Sequence, residues 1–177
     1  VVNQQKKTDE SAALTQVDLL EAASVETRAI WTLLEAVKDP EIPVLSLRDL
    51  GVLRDVEIVN DEVIITITPT YSGCPAMDTI RTDINNALNN AGYANSVIET
   101  ALSPAWTTDW MSEDGKRKLE QFGIAAPAHT RILKPVISCP RCRSVDSILI
   151  SEYGSTACKS MYKCNDCKEA FCYFKAI

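Results

Sequence analysis

The stretch "CPRC" at Cys139–Cys142, answered by "CNDC" at Cys164–Cys167, decides how the last quarter of the chain folds. Each C-x-x-C lets a tight turn aim two thiolates at one ion. Two such turns, separated by 21 residues, make the four-sulfur tetrahedral set of a zinc ribbon. Between them "DSILISEYG" (146–154) and "KSMYKC" (159–164) read as strands that fill the gap. The segment from Thr130 onward has 48 residues, near the size at which an apolar core alone is marginal and a metal compensates. Zinc is favoured for four thiolates, and iron or part of an Fe–S cluster accepts the same ligands.

Cys158 and Cys172 exceed this ligand count as extra thiols. The plain reading packs them near the site or leaves them free; the sharper one makes one of them a cluster or exchange ligand. In "AFCYFK", Cys172 and Phe174 share one face of a strand, and Phe171 and Tyr173 share the other.

The seventh cysteine stands apart, in "YSGCPAMDTI" (Tyr71–Ile80). Pro75 suits the first position of a helix, which puts Cys74 at or next to the N-cap, where the helix start favours a thiolate. Gly73 lets the backbone bend beside the sulfur. Local chemistry leaves two readings open: a reactive or ligating Cys74, or a buried inert thiol. The sole histidine, His129, lies in a stretch that reads as linker, so a Cys–His catalytic pair lacks support and no catalytic residue is assigned. Asp39, in "DPEIP", is either a carboxylate near this thiol or an ordinary helix-ending turn residue. Trp106, Asp109 and Trp110 in "AWTTDW" read as core aromatics or as a partner surface, with core favoured.

Periodicity supplies the frame. Ile30, Leu33, Leu34 and Val37 mark an amphipathic helix ending near Lys38, before Pro40 and Pro43. Two β-branched runs joined at Asn60–Asp61 predict a hairpin, with Val63, Ile65 and Ile67 alternating. Met77, Ile80, Ile84, Ala87, Leu88 and Ala91 share the face of a helix stopped by Gly92. "NSVIETALS" reads as a strand, and Ser112 as the cap of a short helix. The order α-β-β-α-β-α predicts an α+β fold: a small mixed sheet with helices on one side, followed by a small β-rich zinc ribbon. The expected division is a disordered tail at 1–16, a first domain at 17–123, a linker at 124–130 and the ribbon at 131–177.

The net charge is −6, with 10 Lys/Arg against 20 Asp/Glu up to residue 129 and 8 against 4 beyond it. An acidic body argues against nucleic acid as a partner. No apolar run approaches the roughly 20 residues that cross a membrane, and nothing resembles a secretory signal, so reduced cytosolic thiols are expected. No phosphate-loop, dinucleotide or zinc-protease motif is present.

"DPEIPVLSLRDLGVLRDVEI", "ITPTYSGCPAMDTI" and "SPAWTTDWMSEDGKRKLEQFGI" together resemble the SufT-like domain family of Fe–S protein maturation. With the tail "CPRC…GSTACKSMYKCNDC…YFKAI", the chain from about Val17 to Ile177 resembles the PaaD-type accessory proteins of bacterial phenylacetyl-CoA epoxidase systems. That resemblance implies a cytoplasmic role in aerobic phenylacetate degradation. It implies help in maturing or inserting the Fe–S cluster of the flavin-containing epoxidase reductase, rather than epoxidation itself. By the same resemblance Cys74 matches the family's reactive cysteine, Asp39 its DPE aspartate, and Cys139, Cys142, Cys164 and Cys167 the ribbon ligands. It implies Zn2+ or iron at the four cysteines, a transient Fe–S cluster at Cys74, and epoxidase subunits as partners. Homo-oligomer formation stays open. Ala176 stands where a cysteine near the C-terminus is expected of the family, so the resemblance fixes no role for Cys172. The alternative is a non-catalytic zinc-ribbon docking or structural subunit of the epoxidase complex.

Overall fold

The computed structural model describes residues 24–127 and 136–176; the expected tail at 1–16 and His129 lie outside them. Helix α1, Val25–Leu34, starts at Ser24, whose hydroxyl accepts from the Thr27 amide at 3.1 Å. Ile30, Trp31 and Leu34 are its buried face. It ends a turn before Lys38, the expected end. The Ala36 and Val37 amides fall back on carbonyls three residues earlier, and Val37 then gives its own carbonyl to the Leu47 amide at 3.1 Å. A bridge between Lys38 and Ser46 thereby captures the last turn, which the helix would otherwise have kept.

Strands β1 (Leu53–Val59) and β2 (Glu62–Ile67) form the expected antiparallel hairpin. Asn60 and Asp61 carry positive φ of 51° and 63°, the conformation a two-residue hairpin turn requires. Val63, Ile65 and Ile67 alternate inward. Helix α2 (Met77–Asn90) buries Ile80, Ile84 and Leu88, then returns the chain so that β3 (Ser96–Thr100) pairs parallel with β2. The resulting sheet, β1-β2-β3, is mixed as expected.

A 3-10 turn at Thr108–Trp110 leads to helix α3, Glu113–Gln121, capped by Ser112 onto the Gly115 amide at 2.9 Å. Trp106 is core: its indole donates to the Leu50 carbonyl at 2.9 Å. Trp110 is half-buried, with the Arg54 guanidinium 3.7 Å above its ring, and Asp109 is exposed.

The second sheet runs β4-β7-β6-β5, from β4 (Ile124–Ala125), β5 (Ser147–Ser151), β6 (Lys159–Cys164) and β7 (Ala170–Phe174). Its first strand occupies the start of the stretch expected as linker. Ile124 and Ala125 pair parallel with Cys172 and Tyr173, which ties the end of the first half into the ribbon. Strand β7 faces two cores. Phe171 and Tyr173 pack with Ala125, Cys139 and Cys164, while Phe174 and Cys172 pack into the main core, Phe174 lying 6.1 Å from Trp106 between ring centroids. Among the described residues no helix is long and apolar enough to cross a membrane.

Candidate metal centre and thiol cavity

The four ribbon thiols converge. Cys139 and Cys167 have sulfurs 3.7 Å apart, Cys142 and Cys164 3.5 Å, and all four sulfurs lie within 4.8 Å of one another. Four sulfurs bound tetrahedrally at about 2.3 Å from one ion stand about 3.8 Å apart, so the set fits a metal. The knuckles hold this spacing through their backbones. The Cys139 amide donates to the Ser144 carbonyl at 2.8 Å and the Cys164 amide to Glu169 at 2.9 Å, while Arg143 and Lys168 turn with positive φ. Amides of Cys167 and Asp166 stabilise the Cys164 sulfur and, with its thiol neighbours, lower its pKa to about 7. At Cys167 the Glu169 amide acts in the same sense. Burial and the neighbouring Cys142, Cys164 and Cys139 thiols outweigh it and push Cys167 up to about 12. Thiols that oppose each other's ionisation in this way are the ones a cation relieves.

A second set of groups lines a small cavity, of about 20 Å3, between the two halves. Asp39 comes from the turn after α1. Its Oδ1 accepts from the amides of Glu41 at 2.9 Å and Ile42 at 2.7 Å, so the carboxylate is held by its own turn. Burial nevertheless raises its pKa above the ordinary value, with nearby Glu41 adding to the effect. Cys74 lines the same cavity, from the turn before α2. The sequence expectation for this thiol, at or next to the N-cap, needs correction: α2 begins at Met77 with Ala76 at its cap, so Cys74 lies two residues before the cap. The Cys74 amide donates to Tyr71 at 3.2 Å and its carbonyl accepts from Met77 at 3.3 Å. This tight turn is made possible by Gly73 at φ +83°.

Cys158 also lines the cavity, and it comes from the ribbon. It packs as a free thiol in the main core, apart from the small core that holds the ribbon thiols. Its sulfur lies 3.0 Å from the Thr156 hydroxyl, and burial pushes its pKa up against the Thr156 hydrogen bond and Lys159. Tyr71, which the sequence reading passed over, also faces the cavity; its phenol pKa is raised by burial and by the Cys74 thiol. Cys172 is half-buried against the main core and belongs to neither set.

Two family models match the chain: a PaaD zinc beta ribbon domain over residues 125–175, and an iron-sulfur cluster assembly protein over residues 27–98. The first begins at Ala125, inside β4. An Escherichia coli protein provisionally named as one of the subunits of 1,2-phenylacetyl-CoA epoxidase is 46% identical over 159 residues, 88% of this chain and 96% of that relative. An Fe-S protein maturation auxiliary factor from Porphyromonas gingivalis is 36% identical over 92 residues, 51% of this chain and 87% of the relative. Among solved structures, a domain of unknown function from Bacillus anthracis is 31% identical. It matches 52% of this chain and 90% of its own length with a TM-score of 0.49.

Proposed function

The chain belongs to the PaaD family, whose E. coli relative carries the provisional epoxidase name, and from that premise we propose that it serves phenylacetate degradation as an Fe–S assembly factor. On this reading it works in the cytoplasm on the reductase of the epoxidase complex. Cys74 contacts iron or a cluster in transit, Asp39 assists it, and the ribbon, folded around zinc, presents the protein to its client.

The observation that carries the proposal is the convergence of Asp39 and Cys74, 35 residues apart in sequence, on one cavity. Thiolate sulfur suits iron, and a half-buried thiol beside a held carboxylate can take up a cation and release it. The ribbon thiols support a different role. With four protein ligands a metal there has no open position, which is the character of a structural site. What zinc supplies at that site is the link that lets a small module hold its fold.

Cells that depend on this protein for growth on phenylacetate test the role of Cys74. The Cys74→Ala variant should grow slowly there and normally on other carbon sources, with protein levels unchanged. Normal growth on phenylacetate would retire Cys74 from the function.

The docking reading is favoured by the closed geometry of the four ribbon thiols alone. It predicts zinc as the only metal after anaerobic purification, no cluster on reconstitution, and a Cys74 thiol that alkylates no faster than a model thiol.

A further inference from the structure

The ribbon lines one side of the cavity that holds Cys74, and the ribbon thiol there is Cys158. We infer that Cys158 is the second thiol of the Cys74 site, so that the two halves together hold a single thiophilic divalent ion between Cys74, Cys158 and Asp39. The inference rests on the assembly-factor reading and deepens it by naming what the site takes.

Three segments far apart in sequence deliver these groups: the turn after α1, the turn before α2 and the turn before β6. Among the described residues no Lys, Arg or His lines the cavity; Asp39, Glu41 and two thiols do, a set that suits a cation. Lys159 lies close enough to act on Asp39 and Cys158 but is not part of the lining. Two sulfurs and one carboxylate favour iron or zinc over magnesium or calcium, which prefer all-oxygen shells. The space between the donors, about 20 Å3, compares with the roughly 10–15 Å3 that one water needs, so a single ion has room there. Asp39 is held through Oδ1, and Oδ2 takes no hydrogen bond among the described residues. The ribbon thiols form a closed four-sulfur cage, whereas these three donors do not. A site with three protein donors keeps a position open, and an ion held that way can be given up again. Binding releases the two thiol protons, since thiolate is the ligand form.

The test uses full-length protein loaded with a single equivalent of zinc, which the four ribbon thiols take first, and divalent cobalt as the probe under anaerobic conditions. Wild type should take one further equivalent, with sulfur-to-cobalt charge-transfer absorption. Cys74→Ser and Cys158→Ser should each cut that absorption to about half and weaken binding at least tenfold, the low end of what losing even an outer-shell partner costs. Zinc content and far-ultraviolet dichroism report that each variant is folded. A measurement on wild type alone guards against a Cys158 variant that misfolds: cobalt should slow alkylation of Cys74 and Cys158 together and leave Cys172 unchanged. No second equivalent in wild type, or protection of Cys74 without Cys158, overturns the inference. Loss of binding in Cys74→Ser with wild-type binding in Cys158→Ser also overturns it, yet leaves the assembly-factor reading standing. That reading falls separately, on normal growth of Cys74→Ala.

Discussion

At Asp49 one carboxylate ties three segments together. It accepts from the Ser46 amide at 3.0 Å, the Ser112 hydroxyl at 3.0 Å and the Lys118 ammonium at 2.8 Å. Burial works against its charge, but the Lys118, Ser46 and Ser112 hydrogen bonds prevail and hold its pKa below the ordinary carboxylate value. A depressed folded pKa gives stability that is fully present above the unfolded value of about 3.9 and is lost as pH falls through the folded one. Asp49→Asn should therefore cost roughly 2–3 kcal/mol at pH 7, on the scale of a hydrogen-bonded buried charge. It should also flatten the decline of stability below about pH 4, as read by urea unfolding across that range. Gly51 is a second sensitive residue: at φ +68°, a Cβ there would lie 2.5 Å from the Trp110 carbonyl oxygen. Gly51→Ala should destabilise by at least about 2 kcal/mol, from left-handed strain and backbone overlap together, measured in the same unfolding assay. Neither role is visible in the sequence, because the partners of Asp49 lie 63 and 69 residues downstream.

Among the elements, β7 does the joining. Its alternation was legible in "AFCYFK", since period two fixes which residues share a face whatever the strand meets. What the faces meet was not legible. The sequence says nothing of Phe174 reaching Trp106, or of Ile124 and Ala125 adding a strand beside it. Two residues carry too little pattern to read as a strand. The start of α2 is ambiguous for a similar reason. Pro75 fits the first helical turn, but it fits the tight turn through Cys74 equally well, and the Tyr71 carbonyl holds that turn. Phe174→Ala should cost about 3–5 kcal/mol, as for other buried aromatics. Its signature is a lower unfolding midpoint by Trp fluorescence with stoichiometric ribbon metal retained.

For the whole molecule, the four ribbon ligands were readable because their spacing is local, whereas the cavity was not, since its donors meet only after the two halves pack. The same packing couples metal and fold. Stripping the ribbon metal with a chelator should disorder β5 to β7 and remove Phe174 and Cys158 from the main core. The unfolding midpoint of residues 24–127 should then fall as well, and Trp106 fluorescence should report it. An unchanged midpoint would mean the halves are independent. The central claim, that Cys74 acts in cluster delivery, is tested most directly on the client. The reductase is purified anaerobically from cells carrying wild type or Cys74→Ala, and iron and acid-labile sulfide are measured per flavin. The account predicts a flavin-replete reductase depleted of iron and sulfide in the variant. Equal iron and sulfide per flavin in both would contradict it.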